Sequence, residues 1–321
     1  MKKPDITVDA VIPTYMPGRE FCVLLERLRQ QSISLNMVYV VNTCREGWDS
    51  LVSIKDNEDI INDIKVEHIA KDEFDHAGVR NRMIGASDAD YVLVCTMDAI
   101  PADRHLIENL LKPFKEGKVA VSYARQLPKK GANPVERLSR QFNYPDRSLI
   151  KSAEDVKKLG IKTYFCSDVC AMYDRRVFKE LGGFIEPAIF NEDMVYAHTA
   201  VNAGYRVAYC ADACVFHSHS YSGLMQLRRN FDNGVSQALH PEVFSKVSSE
   251  KEGIKMIKES MRTLLRGGHL IWIPVLIWQS GCKYIGFFLG KRFKKLPGVL
   301  VRRISANGSF WKRYNAIRQG G

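Results

Sequence analysis

Four short runs in this 321-residue chain carry residue types that do chemistry on phosphates and hydroxyls. Asp98, in Thr96-Met97-Asp98-Ala99-Ile100-Pro101, follows the strand-like run Tyr91 to Cys95. An α/β sheet places its ligand site just beyond such a strand end. A carboxylate there suits a hard divalent cation, Mg2+ or Mn2+, carried on a substrate diphosphate. Standing alone, the same Asp is an ordinary helix N-cap. In Phe74-Asp75-His76-Ala77-Gly78-Val79-Arg80-Asn81, the last two residues open a helix after a Gly-containing turn. A helix start attracts phosphate, and Arg80 can clamp an oxygen with two hydrogen bonds; without a neighbouring site it is a solvated first turn.

The third run, Asn191-Glu192-Asp193, precedes an expected helix from Val195 to Ala203 and follows the turn Gly182-Gly183-Phe184. Two acids there are a routine cap, or a general base for a sugar hydroxyl. The fourth, Val215-Phe216-His217-Ser218-His219-Ser220-Tyr221, ends a strand with two histidines on one face. That pair is a better ligand candidate than a lone His, though no third residue at a recognised zinc spacing accompanies it.

The elements that must hold these residues are short β-branched runs alternating with helical patterns. Strands are expected at Thr7 to Ile12 (ended by Pro13), Val38 to Val41, Lys65 to Ile69, Tyr91 to Cys95, Val119 to Tyr123, Phe165 to Tyr173 and Tyr205 to Tyr209. Helices are expected over Phe21 to Gln31, Gly78 to Ala86 and Val195 to Ala203, with a long polar connection running to about Thr163. This alternation predicts an α/β fold: a Rossmann-like, mostly parallel sheet flanked by helices. The polar residues after Ile12, Val41 and Cys95 are then the first place to seek a site. From about Leu224 the pattern becomes helical, giving a catalytic region at 1–225 and a helical C-terminal extension at 226–321.

Composition is globular: 45% hydrophobic residues can bury a core without staples. No secretory leader is recognisable after Met1-Lys2-Lys3. The eight cysteines form no Cys-x-x-Cys; Cys166/Cys170 and Cys210/Cys214 make a four-sulfur zinc site conceivable, but buried, reduced thiols are the expectation. The net charge of +11 is localised, because residues 251–321 hold 15 Lys/Arg against 2 Asp/Glu. Such a tail seeks an anionic partner: membrane surface, nucleic acid or phosphate-bearing substrate. His269 to Leu289 is apolar and aromatic but interrupted by Pro274, Gln279, Ser280 and Lys283. It is marginal as a span, and suits equally a helix lying in a membrane interface or buried in a bundle.

The order of these runs resembles the inverting family 2 glycosyltransferases of the glycosyltransferase A fold. The series is Pro13-Thr14-Tyr15, Arg80-Asn81, Asp98-x-x-Pro101, Gly-Gly-Phe, Glu192-Asp193, Gly204-Tyr205 and His217. The rhamnosyltransferase branch is the nearer likeness. It is carried by Phe74-Asp75-His76-x-Gly78-x-Arg80-Asn81, Arg125-Gln126-Leu127-Pro128, Asn143-Tyr144-Pro145, Ser167-Asp168-Val169-Cys170-Ala171, the His217–Ser222 run and Gly286-x-x-x-Gly290 with Leu296-Pro297. The likeness spans nearly the whole chain.

That resemblance implies Pro13, Thr14 and Tyr15 at the nucleoside, Arg80 near the diphosphate or ribose, and Asp98 on the metal. It implies Asp193, with Glu192 beside it, as base, and His217 or His219 completing the metal or diphosphate site. His76, Met97, Arg125 and Asp168 join the nucleotide-sugar set through the motifs that contain them. Two departures stand out. The family's D-x-D motif is Thr96-Met97-Asp98 here, leaving one carboxylate. The strand-end Asp that contacts the base is matched by Asn42, whose amide oxygen can accept a pyrimidine N–H.

The implied reaction is a single displacement with a divalent metal, dTDP-L-rhamnose as donor and a glycan or polyprenyl-diphosphate-linked acceptor. The implied location is the cytoplasmic face of a cell membrane, held by the basic tail on anionic lipid. UDP-galactose, UDP-glucose and UDP-N-acetylhexosamine are the alternative donors. A non-catalytic nucleic-acid binder would leave the acids and histidines without purpose, and no nucleic-acid partner is expected.

Overall fold

The computed structural model describes residues 6–53, 64–219, 221–245 and 249–320. Nine strands form one mixed sheet: β1 Val8–Thr14, β2 Met37–Asn42, β3 Ile64–His68, β4 Tyr91–Cys95, β5 Ile100–Pro101, β6 Val119–Leu127, β7 Leu149–Lys151, β8 Cys170–Asp174 and β9 Arg206–Phe216. The order is β3-β2-β1-β4-β8-β6-β9-β5, with β7 on β9. β1 to β4 pair in parallel, as do β6 and β9; β8 runs antiparallel between β4 and β6. The short β5 and β7 pair antiparallel to β9. Thus β1, β2, β3, β4, β6 and β9 all run in one direction and end at one edge of the sheet, where the chemistry-bearing runs collect.

Alternation along the strands builds two cores. Val8, Ala10 and Ile12 face one side with Leu24, Leu28, Leu93 and Cys95, under the Arg19–Arg29 helix. Val11, Val92 and Val94 face the other, with Ile84, Tyr173, Phe178 and Tyr196. Both faces are therefore covered, as an α/β sheet requires.

Several expectations shift. β1 does not stop at Pro13 but continues to Thr14, paired with β2. The Thr14 carbonyl turns toward Thr43 on the β2 side, so Pro13 faces the β4 side. Pairing with β4 reaches only Val11, and no ladder bond is lost to the missing N–H. The expected strand from Phe165 begins only at Cys170, because a turn closes from Cys170 N–H to the Ser167 carbonyl and sets Asp168 at its tip. The polar connection before Thr163 contains the helix Pro134–Asn143, capped by the Asn133 side chain and opened by Pro134. All eight cysteines are free; Cys166 lies in one core and Cys170 and Cys210 in the other, so no four-sulfur site forms.

The C-terminal region folds back onto the catalytic half. The Gly223–Leu239 helix, capped by Ser222, packs along the Ile273–Lys291 helix. Pro274, an interruption by sequence, sits in that helix's first turn, where it is tolerated. A Cβ at Gly286 or Gly290 would overlap the carbonyl of Leu227 or Phe231, so these glycines let the backbones meet. The helix buries Leu276, Cys282, Gly286 and Gly290 while Ile277, Trp278, Tyr284 and Ile285 stay exposed. It is thus half bundle and half surface. No helix among the described residues is long and apolar enough to cross a membrane.

Candidate active site

At the shared strand edge lies a cavity of about 930 Å3. Its floor comes from the ends of β1 and β4, through Pro13, Thr14, Tyr15 and Thr96, Met97, Asp98, with His76 and Arg80 from the helix His76–Ala86. That helix is started by Asp75, whose carboxylate accepts from the N–H groups of Ala77 and Gly78.

One corner gathers three ligand-type atoms. Asp98 Oδ2 stands 3.2 Å from His219 Nε2 and 3.5 Å from His217 Nε2, and the two nitrogens are 3.0 Å apart. Among the described residues this is the one cluster of three with metal-ligand geometry. Neighbouring ligands of a six-coordinate ion with bonds of about 2.1 Å stand about 3 Å apart, so the set fits a divalent cation. His217 Nδ1 lies 3.1 Å from Gln126 Oε1. The Arg140 guanidinium, which can only donate, bonds the same Gln126 oxygen, while the amide nitrogen donates to Tyr144 (2.6 Å) and Ser167 (2.9 Å); the oxygen therefore faces the ring. An amide oxygen only accepts; His217 therefore carries its proton on Nδ1 and points the Nε2 lone pair at Asp98. Burial pushes the His217 pKa down to about 3 despite Asp98, keeping the imidazole neutral as a ligand must be. Burial alone would raise the Asp98 carboxyl, but the polar groups facing it, the two histidine rings and then Thr96 and Lys129, together hold it below its ordinary range. His219 is fixed by stacking on Tyr221, 5.0 Å away at 28°.

A second corner holds three carboxylates around one guanidinium. Buried Arg80 donates from Nη1 to Glu192 Oε1 (3.1 Å) and to the His76 carbonyl (2.8 Å), and its Nε lies 3.6 Å from Asp168 Oδ2. Tyr173 donates to Asp168 at 2.5 Å. Asp193, in the first turn of the helix Glu192–Asn202, accepts from the N–H groups of Asp168 (3.1 Å) and Met194 (2.7 Å). Burial, then the charges of Asp168 and Glu192, raise the Asp193 carboxyl well above its ordinary value. Asp168 is pushed up to about 6, chiefly by burial, against the opposing pull of Arg80. Glu192 and Asp168 are buried whereas Asp193 stays half-buried, so Asp193 is the member of the three open to another molecule.

Most of the expected residues converge, with corrections. Pro13, Thr14, Tyr15, His76, Arg80, Met97, Asp98 and His219 lie on the cavity wall; His217 backs His219. Arg80 reaches the wall with its charge already engaged by acids. Glu192, Asp193 and Asp168 are not on that wall; Glu192 and Asp168 connect to it through Arg80, and Asp193 through the Asp168 N–H. Asn42 is wholly buried and absent from the cavity wall, its oxygen taken by the Thr14 hydroxyl at 3.1 Å and its nitrogen given to the Cys44 carbonyl, so it supports the floor from beneath. Arg125 pairs in register with Cys214 and is absent from the wall, since adjacent strand residues face opposite sides and Gln126 takes the site side.

Four contributors were not expected from the sequence. Gln126 lies in the Arg125-Gln126-Leu127-Pro128 run, and its place one residue before the end of β6 is the signal that could have found it. Lys71 lies over the Tyr15 ring at 4.8 Å. Arg229 lies over the rings of Tyr221 (4.9 Å) and Phe190 (5.5 Å) and forms no ion pair among the described residues. The last is the 306–309 segment with Lys312, from the tail.

Comparison with known proteins follows this geometry. Residues 9–182 match the profile described as glycosyl transferase family 2. The chain is 37% identical over 306 residues to the O-antigen chain rhamnosyltransferase RfbN of Salmonella typhimurium, covering 95% of this chain and 96% of that one. It is 35% identical over 308 residues to the O-antigen chain rhamnosyltransferase WbaN of Salmonella anatum, covering 94% of each. Among solved structures, the mannosyltransferase PcManGT from Pyrobaculum calidifontis, in complex with GDP-Man and Mn2+, superposes with a TM-score of 0.61. That match is 14% identical and covers 91% of this chain and 92% of that one. At that identity the likeness speaks to fold alone.

Proposed function

The chain belongs to glycosyl transferase family 2 and is a glycosyltransferase; from that premise we propose that it moves L-rhamnose, with inversion, from dTDP-L-rhamnose to a lipid-linked or growing surface glycan. The observation that carries the reading is the Asp98–His217–His219 corner at the cavity, with a second corner behind Arg80 that holds an acid of raised proton affinity. The named activity of the two Salmonella relatives supports the sugar and the acceptor class. Asp98, His217 and His219 would hold Mg2+ or Mn2+, which supplies positive charge to the leaving diphosphate. Asp193 takes the proton of the acceptor hydroxyl, freeing its oxygen to attack the anomeric carbon opposite the leaving group. Tyr15 and Lys71 bracket the nucleoside end. Arg229, held by two ring faces and unpaired among the described residues, meets the diphosphate charge in place of the engaged Arg80.

The C-terminal region serves this site twice in our reading. Its 306–312 segment reaches the cavity, and its exposed Ile271, Ile277, Trp278 and Ile285, among the basic residues of the tail, rest on anionic lipid where the acceptor is carried. Turnover of dTDP-L-rhamnose with Mn2+ and a lipid-linked acceptor tests the chemistry. Turnover of a UDP-sugar in its place would replace the donor. Liposome sedimentation of the full chain, against an Ile271→Ser/Ile285→Ser variant, tests the surface; equal pelleting on anionic vesicles would sink it.

A further inference from the structure

The C-terminal run from Ser305 to Lys312 is gripped with more polar detail than a surface tail needs. Arg228 donates to three consecutive carbonyls, those of Arg303 (3.1 Å), Ile304 (3.2 Å) and Ser305 (3.2 Å). One helical turn further along the same helix, Asp232 accepts from the Ser305 hydroxyl (2.6 Å) and the Ala306 N–H (2.9 Å). A donor and an acceptor four residues apart share a helix face, so the turn is clasped through both polarities of its backbone. The far end is tied to the catalytic half. Ser309 donates to the Phe74 carbonyl (3.3 Å), and Arg313 bonds the Asp72 carbonyl (2.8 Å) and pairs with Asp75 (3.3 Å). Phe310 and Trp311 between them are buried against Phe231 and Phe293.

The piece so held is part of the wall of the donor cavity, which includes Ala306, Asn307 and Lys312 together with Tyr15 and Asp98. Capping the end of the preceding Gly298–Ile304 helix explains the carbonyl bonds but not why the capped turn stands at the cavity. Lys312 reaches the same rim as Lys71: its ammonium lies 3.8 Å from Asp72 and is largely exposed.

We propose that residues 305–312 are a wall of the donor site that contacts the nucleoside diphosphate through Lys312. Arg228, off the cavity lining, and Asp232, at its edge, are the positioning residues that keep this wall in place. The inference rests on the donor-cavity reading above. It makes the C-terminal region part of nucleotide recognition rather than only an attachment to the membrane.

The test uses the full chain and titrates dTDP and UDP by calorimetry, alongside donor KM and kcat. Asp232→Ala should raise the nucleotide Kd and donor KM by about tenfold or more, with kcat within about threefold. Asp232→Asn, which still accepts through one oxygen, should recover most of that loss. Lys312→Ala, at an exposed position, should raise KM several-fold with the melting temperature unchanged. Nucleotide affinity and KM unchanged in both alanine variants would overturn the proposal; if Asp232→Ala fails to fold, Lys312→Ala decides alone. A wild-type chain that binds neither nucleotide would remove the donor-cavity reading and this wall with it. Binding by the wild type without any difference in the variants would remove the wall alone.

Discussion

The two acidic corners of this site hold the same kind of side chain and treat it in opposite ways. Asp98 faces two imidazoles, then Thr96 and Lys129, and burial loses to them together, so its carboxyl stays below the ordinary range. Asp193 faces Asp168 and Glu192, and burial and like charge work together to raise it. A metal anchor must be an anion at all times, whereas a base must want a proton. The contrast is what the proposed roles of metal anchor and base require of the two residues. Arg80 belongs to the second corner: shared between Glu192 and Asp168, it lets three acids stand together without expelling one another.

The widest gap between the corners should come from removing each acid. Asp193→Asn, which keeps the shape and one of the two accepting oxygens, should lower kcat by about 10³-fold while nucleotide binding stays near wild type. Asp98→Ala should abolish the response of activity and nucleotide affinity to Mn2+. Stopped-assay kinetics with a metal titration separate the two. Equal loss of metal response in both variants would erase the distinction between the corners.

The second corner was the harder one to read in the sequence. The Glu192-Asp193 pair and Asp98 were visible because each follows a pattern that ends an element. The grouping of Asp168 with them was not, since the turn at Ser167–Cys170 lay inside what alternation read as one long strand. Arg80 looked like a phosphate clamp because nothing local shows that Glu192, 112 residues away, already holds it. Asn42 was matched to a base contact through the resemblance, and its burial could not be read there because it is set by the whole sheet, not by its own strand. The parallel strands β1 to β4 were legible to within two residues at each end, since short β-branched runs mark buried parallel strands. The tail was legible only in charge and helicity; its return to the cavity depends on a clasp made across 73 or more residues.

Gln126 sharpens the first corner at a smaller scale. It touches no substrate-facing atom but sets the His217 tautomer through Nδ1. Gln126→Leu should weaken Mn2+ affinity by about 10–100-fold, with kcat recovered at saturating metal. An unchanged metal titration would show that the His217 ring is held by packing alone.

The smallest expected effect is a shift rather than a loss, and it tests why the second corner is tuned upward. As a base, Asp193 works only when deprotonated, so activity should fall as pH drops through its raised pKa, at higher pH than for an ordinary Asp of about 3.9. Burial is the first cause of the raised value and the Asp168 charge the second. Asp168 itself sits at about 6, so its charge is present above that pH and fades below it. The two carboxyls therefore lose their protons as a pair, and the acid limb of the kcat profile should be broader than a single group gives. Asp168→Asn removes the like charge without removing the burial. The limb should then move to lower pH and steepen to a single ionisation, because proton affinity at Asp193 falls when its anionic neighbour is gone. A limb that stays in place would assign the tuning to burial alone. A limb that moves upward would mean that Asp168 serves Asp193 through Arg80, since an arginine released from one acid pairs more fully with Glu192 and leaves Asp193 less cationic company.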